Sequence, residues 1–388
     1  MIVAGIFLPI LAQLPKLSNA RVLQEQVLAH RGLIFESRQL RWRCLCGSAS
    51  EAFPSRTSTK MIHSVRDIGR PQLERWIGYS SGHDGFDHLR MWIQHKDPMP
   101  DRTPWQRNNQ YDAWYSMVTK YNTRALSYET DGLFALAGLS SAMATTHGCT
   151  YFAGLWKEDL QTGLCWFITG SKYANADVAV SSKESMDSMP SWTWISQRGR
   201  EIQFRGWENN HTVIKHEGLS LFEHYTNEVP KPDNPFATIA PKKLVVTGRV
   251  RKIAVEKSKL DINWQDSENV YHGDLAAPRW VWRVRDIKTN EKLGHIAFDF
   301  DPASFTTRHI YCLLCLAREK YDKWQLTCLG LVPTDETLEE FKRIGLIMIR
   351  QEDWFGKLHE YDPYDKDAPG YIRRSGKDIR FIRTICLV

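Results

Sequence analysis

Residues 310–349, IYCLLCLAREKYDKWQLTCLGLVPTDETLEEFKRIGLIMI, decide the fold that we expect for this chain. The stretch holds three apolar runs, at about 310–317, 325–332 and 345–349, and polar, charged residues separate each run from the next. Short apolar runs bounded by turn-forming residues are typical of buried strands. Together with the run at 296–300, they predict a mainly antiparallel β unit.

Further strands are expected on the N-terminal side of this stretch. One is the compact apolar run 164–168, and another begins at Lys243. In the segment PSWTWIS at 190–196, Trp192 and Trp194 occupy alternate positions. Because successive side chains of a strand point to opposite faces, a strand here would place both indoles on one face. We therefore predict that both indoles are buried and act as structural anchors.

Two helices are expected before these strands. The residues Trp114, Met117, Val118 and Tyr121 follow the spacing i, i+3, i+4 and i+7, which predicts a helix over about 108–121 with one buried side. A second helix is predicted over about 131–145, with the carboxylate of Asp131 near its N-terminus, where it can cap backbone amides. The expected fold class is thus α+β, with a short helical region at about 105–145 followed by mainly antiparallel β structure.

Changes in composition divide the chain into four segments. A linker with three prolines ends near Phe236, and a polar insertion rich in His, Asp and Gly covers about 57–103. The segments expected are an apolar N-terminal stretch at 1–20, a region with the insertion and both helices at 21–150, a Trp-rich β region at 151–235, and a second β-rich domain at 236–388.

Composition and charge exclude several classes of protein. The chain has 388 residues, of which 42% are hydrophobic and 25% charged, as in ordinary globular proteins. Its 51 Lys and Arg exceed its 45 Asp and Glu without forming a dense basic arm, so we expect no nucleic-acid partner. The 15 Trp are scattered along the chain, which favours a role in packing over a single aromatic cage.

The eight cysteines are interpreted as reduced thiols, because most of them lie inside apolar segments. Cys312 and Cys315 have the CxxC spacing, and Cys44 and Cys46 are also close together. Neither pair has the second CxxC or the paired His residues that a zinc site needs, so a place in the core is favoured over a metal site. We expect neither a metal nor a cofactor.

The N-terminal stretch leaves the compartment open. Residues 1–14 carry no charge and could form the apolar region of a signal peptide, but they lack the preceding basic residues. They are too short to cross a membrane, and no other stretch reaches the roughly 20 apolar residues that a stable span requires. A cytoplasmic protein is expected. The alternative is a secreted protein, for which Asn210 would be a glycosylation acceptor.

The common catalytic motifs are absent from the sequence. No GxSxG, GxxxxGK[ST] or GxGxxG motif is present, which argues against a serine hydrolase, a P-loop NTPase and a Rossmann dehydrogenase. The nearest approach to a metal cluster is HDGFDH at 83–88, which we interpret as a solvated loop. The pairs His211 with His216 and Asp299 with Asp301 are interpreted as residues of strand-end turns.

Seven short blocks follow one another along the chain. They are VLQE at 22–25, LRWRC at 40–44, ASEAFP at 49–54, YNTRALS at 121–127, DGLFALAGL at 131–139, YFAGLW at 151–156 and PSWTWIS at 190–196. In this order they resemble the motifs that close the heterokaryon-incompatibility (HET) domain of fungal proteins and the motifs that follow that domain. The motif residues that this resemblance singles out are Leu23, Gln24, Glu25, Trp42, Asp131, Trp156, Trp192 and Trp194.

The resemblance implies a role in non-self recognition between fungal cells and in programmed cell death. It also implies that the domain closed by the first of these motifs is similar to the TIR-type modules that can cleave NAD. Two features depart from the family pattern: Arg21 replaces the Trp before LQE, and most of the domain expected before that motif is missing. The chain is therefore expected to be truncated. Of the domain's closing motif, only Gln24 and Glu25 can be carried over, and Glu25 suits a helix cap or ion pair as well as it suits catalysis.

Two hypotheses of different class follow. The first is a non-catalytic regulatory or recognition region, whose expected partner is a full-length HET-type relative. The second is a hydrolase acting on NAD or another nucleotide, which would need a pocket joining Glu25 to His or Asp residues elsewhere. The first is favoured. A structure in which Glu25 is buried against the strand that carries Trp42, with no cleft, would remove the second hypothesis.

Overall fold

The chain forms two compact units in the computed structural model. The first unit comprises Met1–Tyr151 with Asn209–His211 and Asn234–Thr238, and the second comprises the remainder. The predicted segment 151–235 therefore falls, for most of its length, in the same unit as the C-terminal strands. The residues that the structure describes are 10–12, 22–35, 40–44, 47–51, 89, 92–93, 104–124, 129–169, 189–204, 221–222, 236, 243–259, 280–302, 305–320, 323–355 and 381–388.

A four-stranded sheet and a helix form the N-terminal part of the first unit. The sheet order is β1-β2-β3-β4, in which β1 is parallel to β2 and the other pairs are antiparallel. Parallel strands need a crossover connection, and a helix lies between β1 and β2 in the chain. The elements are β1 (Ile10–Ala12), α1 (Val22–Leu28), β2 (Arg31–Phe35), β3 (Leu40–Cys44) and β4 (Gly47–Ser50).

The first predicted helix of this unit is confirmed. Helix α2 runs over Pro104–Asn122, and the four apolar residues that predicted it, Trp114, Met117, Val118 and Tyr121, are all buried. The helix begins earlier than the pattern indicated. Its first residue is a proline, which fits the first turn of a helix because the N–H missing from proline has no intrahelical partner there.

The second predicted helix begins differently from the expectation. The segment starts as two 3₁₀ helices, Glu129–Gly132 and Phe134–Leu136, and becomes α-helical only in α3 (Ala137–His147). The carbonyl of Gly132 accepts a hydrogen bond from the Tyr121 hydroxyl, 2.5 Å away, instead of continuing a regular helix. Asp131 therefore does not cap α3, whose N-cap is Leu136 without a side-chain cap.

In the described residues of the Trp-rich segment, which lie mostly in the second unit, the strands are short. The elements here are β5 (Tyr151–Phe152), β6 (Leu155–Trp156), a 3₁₀ turn at Lys157–Asp159, α4 (Leu160–Gly163), β7 (Trp166–Ile168), a 3₁₀ helix at Trp194–Gln197, and β8 (Ile202–Phe204). β7 pairs antiparallel with β8. The apolar run predicted as a strand at 164–168 is thus a strand only in its second half.

The strand predicted around Trp192 and Trp194 is wrong, although both indoles are fully buried as expected. The polar residue between them sets the local conformation, because the Thr193 hydroxyl accepts a hydrogen bond from the Ile195 N–H and so caps the 3₁₀ helix that starts at Trp194. The Ser196 N–H then bonds to the Thr193 carbonyl. These local bonds replace the ladder of a strand.

The C-terminal sheet confirms the predicted fold class, in which short helices precede a mostly antiparallel sheet. Its strand order is β11-β12-β15-β14-β13-β10-β16, and β9 pairs with β10. The sheet closes on itself because β10 also pairs with β11. The strands are β9 (Leu221–Phe222), β10 (Leu244–Lys259), β11 (Trp280–Arg285), β12 (Lys292–Phe298), β13 (His309–Lys320), β14 (Lys323–Pro333), β15 (Glu340–Ile349) and β16 (Ile382–Leu387).

Strands β13, β14 and β15 are buried on both faces, which explains their continuous apolar runs. Ile310, Cys312 and Leu314 belong to the core enclosed by the sheet, whereas the intervening Leu313 is buried on the opposite face. That opposite face is covered in part by α4 and β7. Most positions of these strands are therefore apolar, and the simple alternation of a half-exposed strand is absent.

Among the helices that the structure describes, none combines the length and the apolar character needed to cross a bilayer.

Candidate functional site

The LQE motif lies on helix α1, and its first two residues serve packing. Leu23 is fully buried, and the Gln24 side-chain amide donates a hydrogen bond of 3.0 Å to the carbonyl of Phe134. Helix α1 approaches α3 closely because Gly138, on α3, has no side chain. A Cβ atom there would overlap the Gln24 Oε1 atom and touch Leu28. The motif thus joins α1 to the start of α3.

Glu25 occupies a different environment from its two neighbours. It is exposed, in the first turn of α1, where a carboxylate interacts favourably with the positive end of the helix dipole. It is not buried against the strand of Trp42, the half-buried motif residue of β3 that pairs with Leu33 and Ala49. Burial of Glu25 against that strand, which would have argued most directly against a catalytic role, is therefore not observed.

Asp131 and Phe134 lie on the consecutive 3₁₀ helices before α3. Asp131 is half-buried, and Phe134 is 56% exposed although its block of sequence is largely apolar. Sequence reasoning missed Phe134, because the neighbouring Leu133, Ala135 and Leu136 are all buried and a run of apolar residues gives no sign of which one faces solvent.

The blocks YFAGLW and PSWTWIS interlock within the second unit. The Trp194 Nε1 atom donates to the carbonyl of Gly154 over 2.9 Å, and the Thr193 hydroxyl donates to that of Ala153 over 2.7 Å. Gly154 has a φ of +94°, and a Cβ there would lie 2.8 Å from the Trp194 Nε1 atom. A glycine is therefore required for the backbone to reach the indole. The rings of Phe152 and Trp192 stack with centroids 5.2 Å apart.

The remaining motif tryptophan and its surroundings are also enclosed. Trp156 is fully buried on β6. The carbonyl of Trp192 accepts a hydrogen bond of 3.1 Å from the Trp166 Nε1 atom, and the Ser191 N–H donates to the carbonyl of Val388 over 3.1 Å. These motif residues therefore form an anchored scaffold instead of lining an open site.

A buried ion pair in the second unit was not predicted. Arg343, on β15, donates two hydrogen bonds to the carboxylate of Asp299, from Nε to Oδ2 at 2.8 Å and from Nη2 to Oδ1 at 3.3 Å. The same guanidinium donates to the carbonyls of Leu164 and Trp166, each at 2.5 Å, and lies 3.4 Å from the centroid of the Trp166 ring. The side chain is fully enclosed, and all of these groups satisfy it.

The interpretation of Asp299 as a residue of a strand-end turn is only partly correct. It directly follows β12, at the end of the strand, but it is buried. Burial raises the pKa of Asp299, and the guanidinium of Arg343 opposes that rise. Asp301, the other member of the predicted pair, is exposed.

The cysteines that the structure describes with their side chains are free thiols, as predicted, and most of them are buried. Burial raises the pKa of Cys328 well above its usual value, and the neighbouring Cys312 thiol raises it further. The reactive thiolate is therefore disfavoured, and Cys312 and Cys328 act as apolar core residues. Within the described part of the chain, no group of three or more His, Cys, Asp or Glu side chains could hold a metal ion.

Several residues singled out in the sequence lie outside the described residues. These are the HDGFDH cluster at 83–88, the pair His211 and His216, the acceptor Asn210, and Cys46. Comparison with known proteins assigns no family: no protein-family model, no curated protein and no solved structure matches the chain.

Proposed function

We propose that this chain is a non-catalytic recognition region of a HET-type protein, active in fungal non-self recognition and programmed cell death, and that its partner is a full-length HET-type protein. One observation carries the proposal: the motif residues are used to hold backbone segments together. The amide of Gln24 is committed to the carbonyl of Phe134, and the indole of Trp194 to that of Gly154. Groups held in this way build a rigid surface for binding.

The exposed position of Glu25 suits recognition. Glu25 stands on the exposed side of a seven-residue helix. An exposed carboxylate is well suited to contact a basic side chain of a partner. The free thiols of the described cysteines support the cytoplasmic location that belongs to this proposal.

The proposal predicts that the chain is silent on its own and active only in binding. Purified protein should consume no NAD, and its expression in a fungal cell should not be toxic. It should bind at least one member of a panel of purified full-length HET-type proteins, as measured by calorimetry. NAD consumption that disappears in Glu25→Ala would contradict the proposal and establish the hydrolase hypothesis in its place.

A further inference from the structure

We draw no further inference here: the strongest candidate, the cluster of half-buried aromatic rings that Trp282, Phe300 and Phe305 form around Phe298 at the end of β12, is an apolar face of the closed C-terminal sheet, and nothing in the structure shows what covers it.

Discussion

At the residue scale, the tryptophans of PSWTWIS show how a side chain can be assigned correctly and its backbone wrongly. Their size and apolar character predict burial in any conformation, and both Trp192 and Trp194 are fully buried. Their alternation indicates a strand only where the backbone forms the hydrogen bonds of a β-sheet. Thr193 instead accepts a local hydrogen bond from the Ile195 N–H and donates one to the carbonyl of Ala153 in a distant part of the sequence. A short polar side chain between two large ones therefore overrode the pattern.

Two substitutions of Trp194 separate the contribution of its buried ring to stability from the contribution of its hydrogen bond. Trp194→Ala should lower the free energy of unfolding by about 3 to 5 kcal/mol, because it leaves a cavity in the core. Trp194→Phe keeps most of the ring but leaves the Gly154 carbonyl without its donor, and should cost about 1 to 3 kcal/mol. Urea denaturation measures both losses, with the exposed Phe35→Ala as the control. Unchanged stability in the alanine variant would contradict the role of Trp194 as an anchor.

At the element scale, long and regular elements were predictable, and short ones were not. Helix α2 and strands β13 to β15 follow from periodicity and from apolar runs, because burial fixes the residue type at each of their positions. The first 3₁₀ helix before α3 ends at Gly132, whose carbonyl accepts a hydrogen bond from the Tyr121 hydroxyl. A contact between distant residues leaves no periodic signal in the sequence.

The hairpin between β11 and β12 contains a second charged cluster that sequence reasoning missed. One oxygen of the Asp286 carboxylate accepts bonds from the Trp354 indole, at 2.7 Å, and from Arg251, at 3.2 Å. The other accepts the N–H groups of Lys288 and Thr289, at 2.8 and 3.0 Å. Burial alone would raise the pKa of Asp286, but these bonds and the Arg251 charge together lower it below its ordinary value of 3.8.

This lowered pKa predicts a stability that depends on pH. Because the folded state holds the proton of Asp286 less tightly than the unfolded state does, the contribution is complete above about pH 3.8 and is lost as the pH falls through the folded pKa. Asp286→Asn should cost about 1.5 to 3 kcal/mol at neutral pH and progressively less in acid. Chemical denaturation along a pH series measures the difference, with the exposed Glu336→Gln as the control. A cost that is the same at every pH would contradict the prediction.

At the scale of the whole molecule, four of the seven blocks meet in two separate pairs, one pair in each unit. The LQE block and DGLFALAGL meet in the first unit through Gln24 and Gly138. YFAGLW and PSWTWIS meet in the second through Trp194 and Gly154. The order of motifs along a sequence does not say which segments pair. The meeting points became visible only through individual hydrogen bonds.

The partners of buried charged residues are the hardest feature to predict from a sequence, and Arg343 is the clearest example. It follows Lys342 on β15, outside the apolar run predicted at 345–349, yet it is buried. It joins β15 to two other parts of the second unit, which are the end of β12, through Asp299, and the segment that carries the carbonyls of Leu164 and Trp166. Spacing along the chain cannot reveal this arrangement, because the partners lie between 44 and 179 residues away.

The pair should be strongly coupled. Arg343→Met and Asp299→Asn each remove one partner, and Arg343→Met in particular should cost about 3 to 5 kcal/mol, because it leaves a buried carboxylate without its bonded countercharge and with only the weaker influence of Arg200. In the double variant no uncompensated charge remains, so its cost should be clearly less than the sum of the two single costs. Urea denaturation of the four proteins gives the coupling free energy. Strictly additive losses would show that the two groups stabilise the unit independently, and would contradict the assignment of Arg343 as the residue that neutralises Asp299.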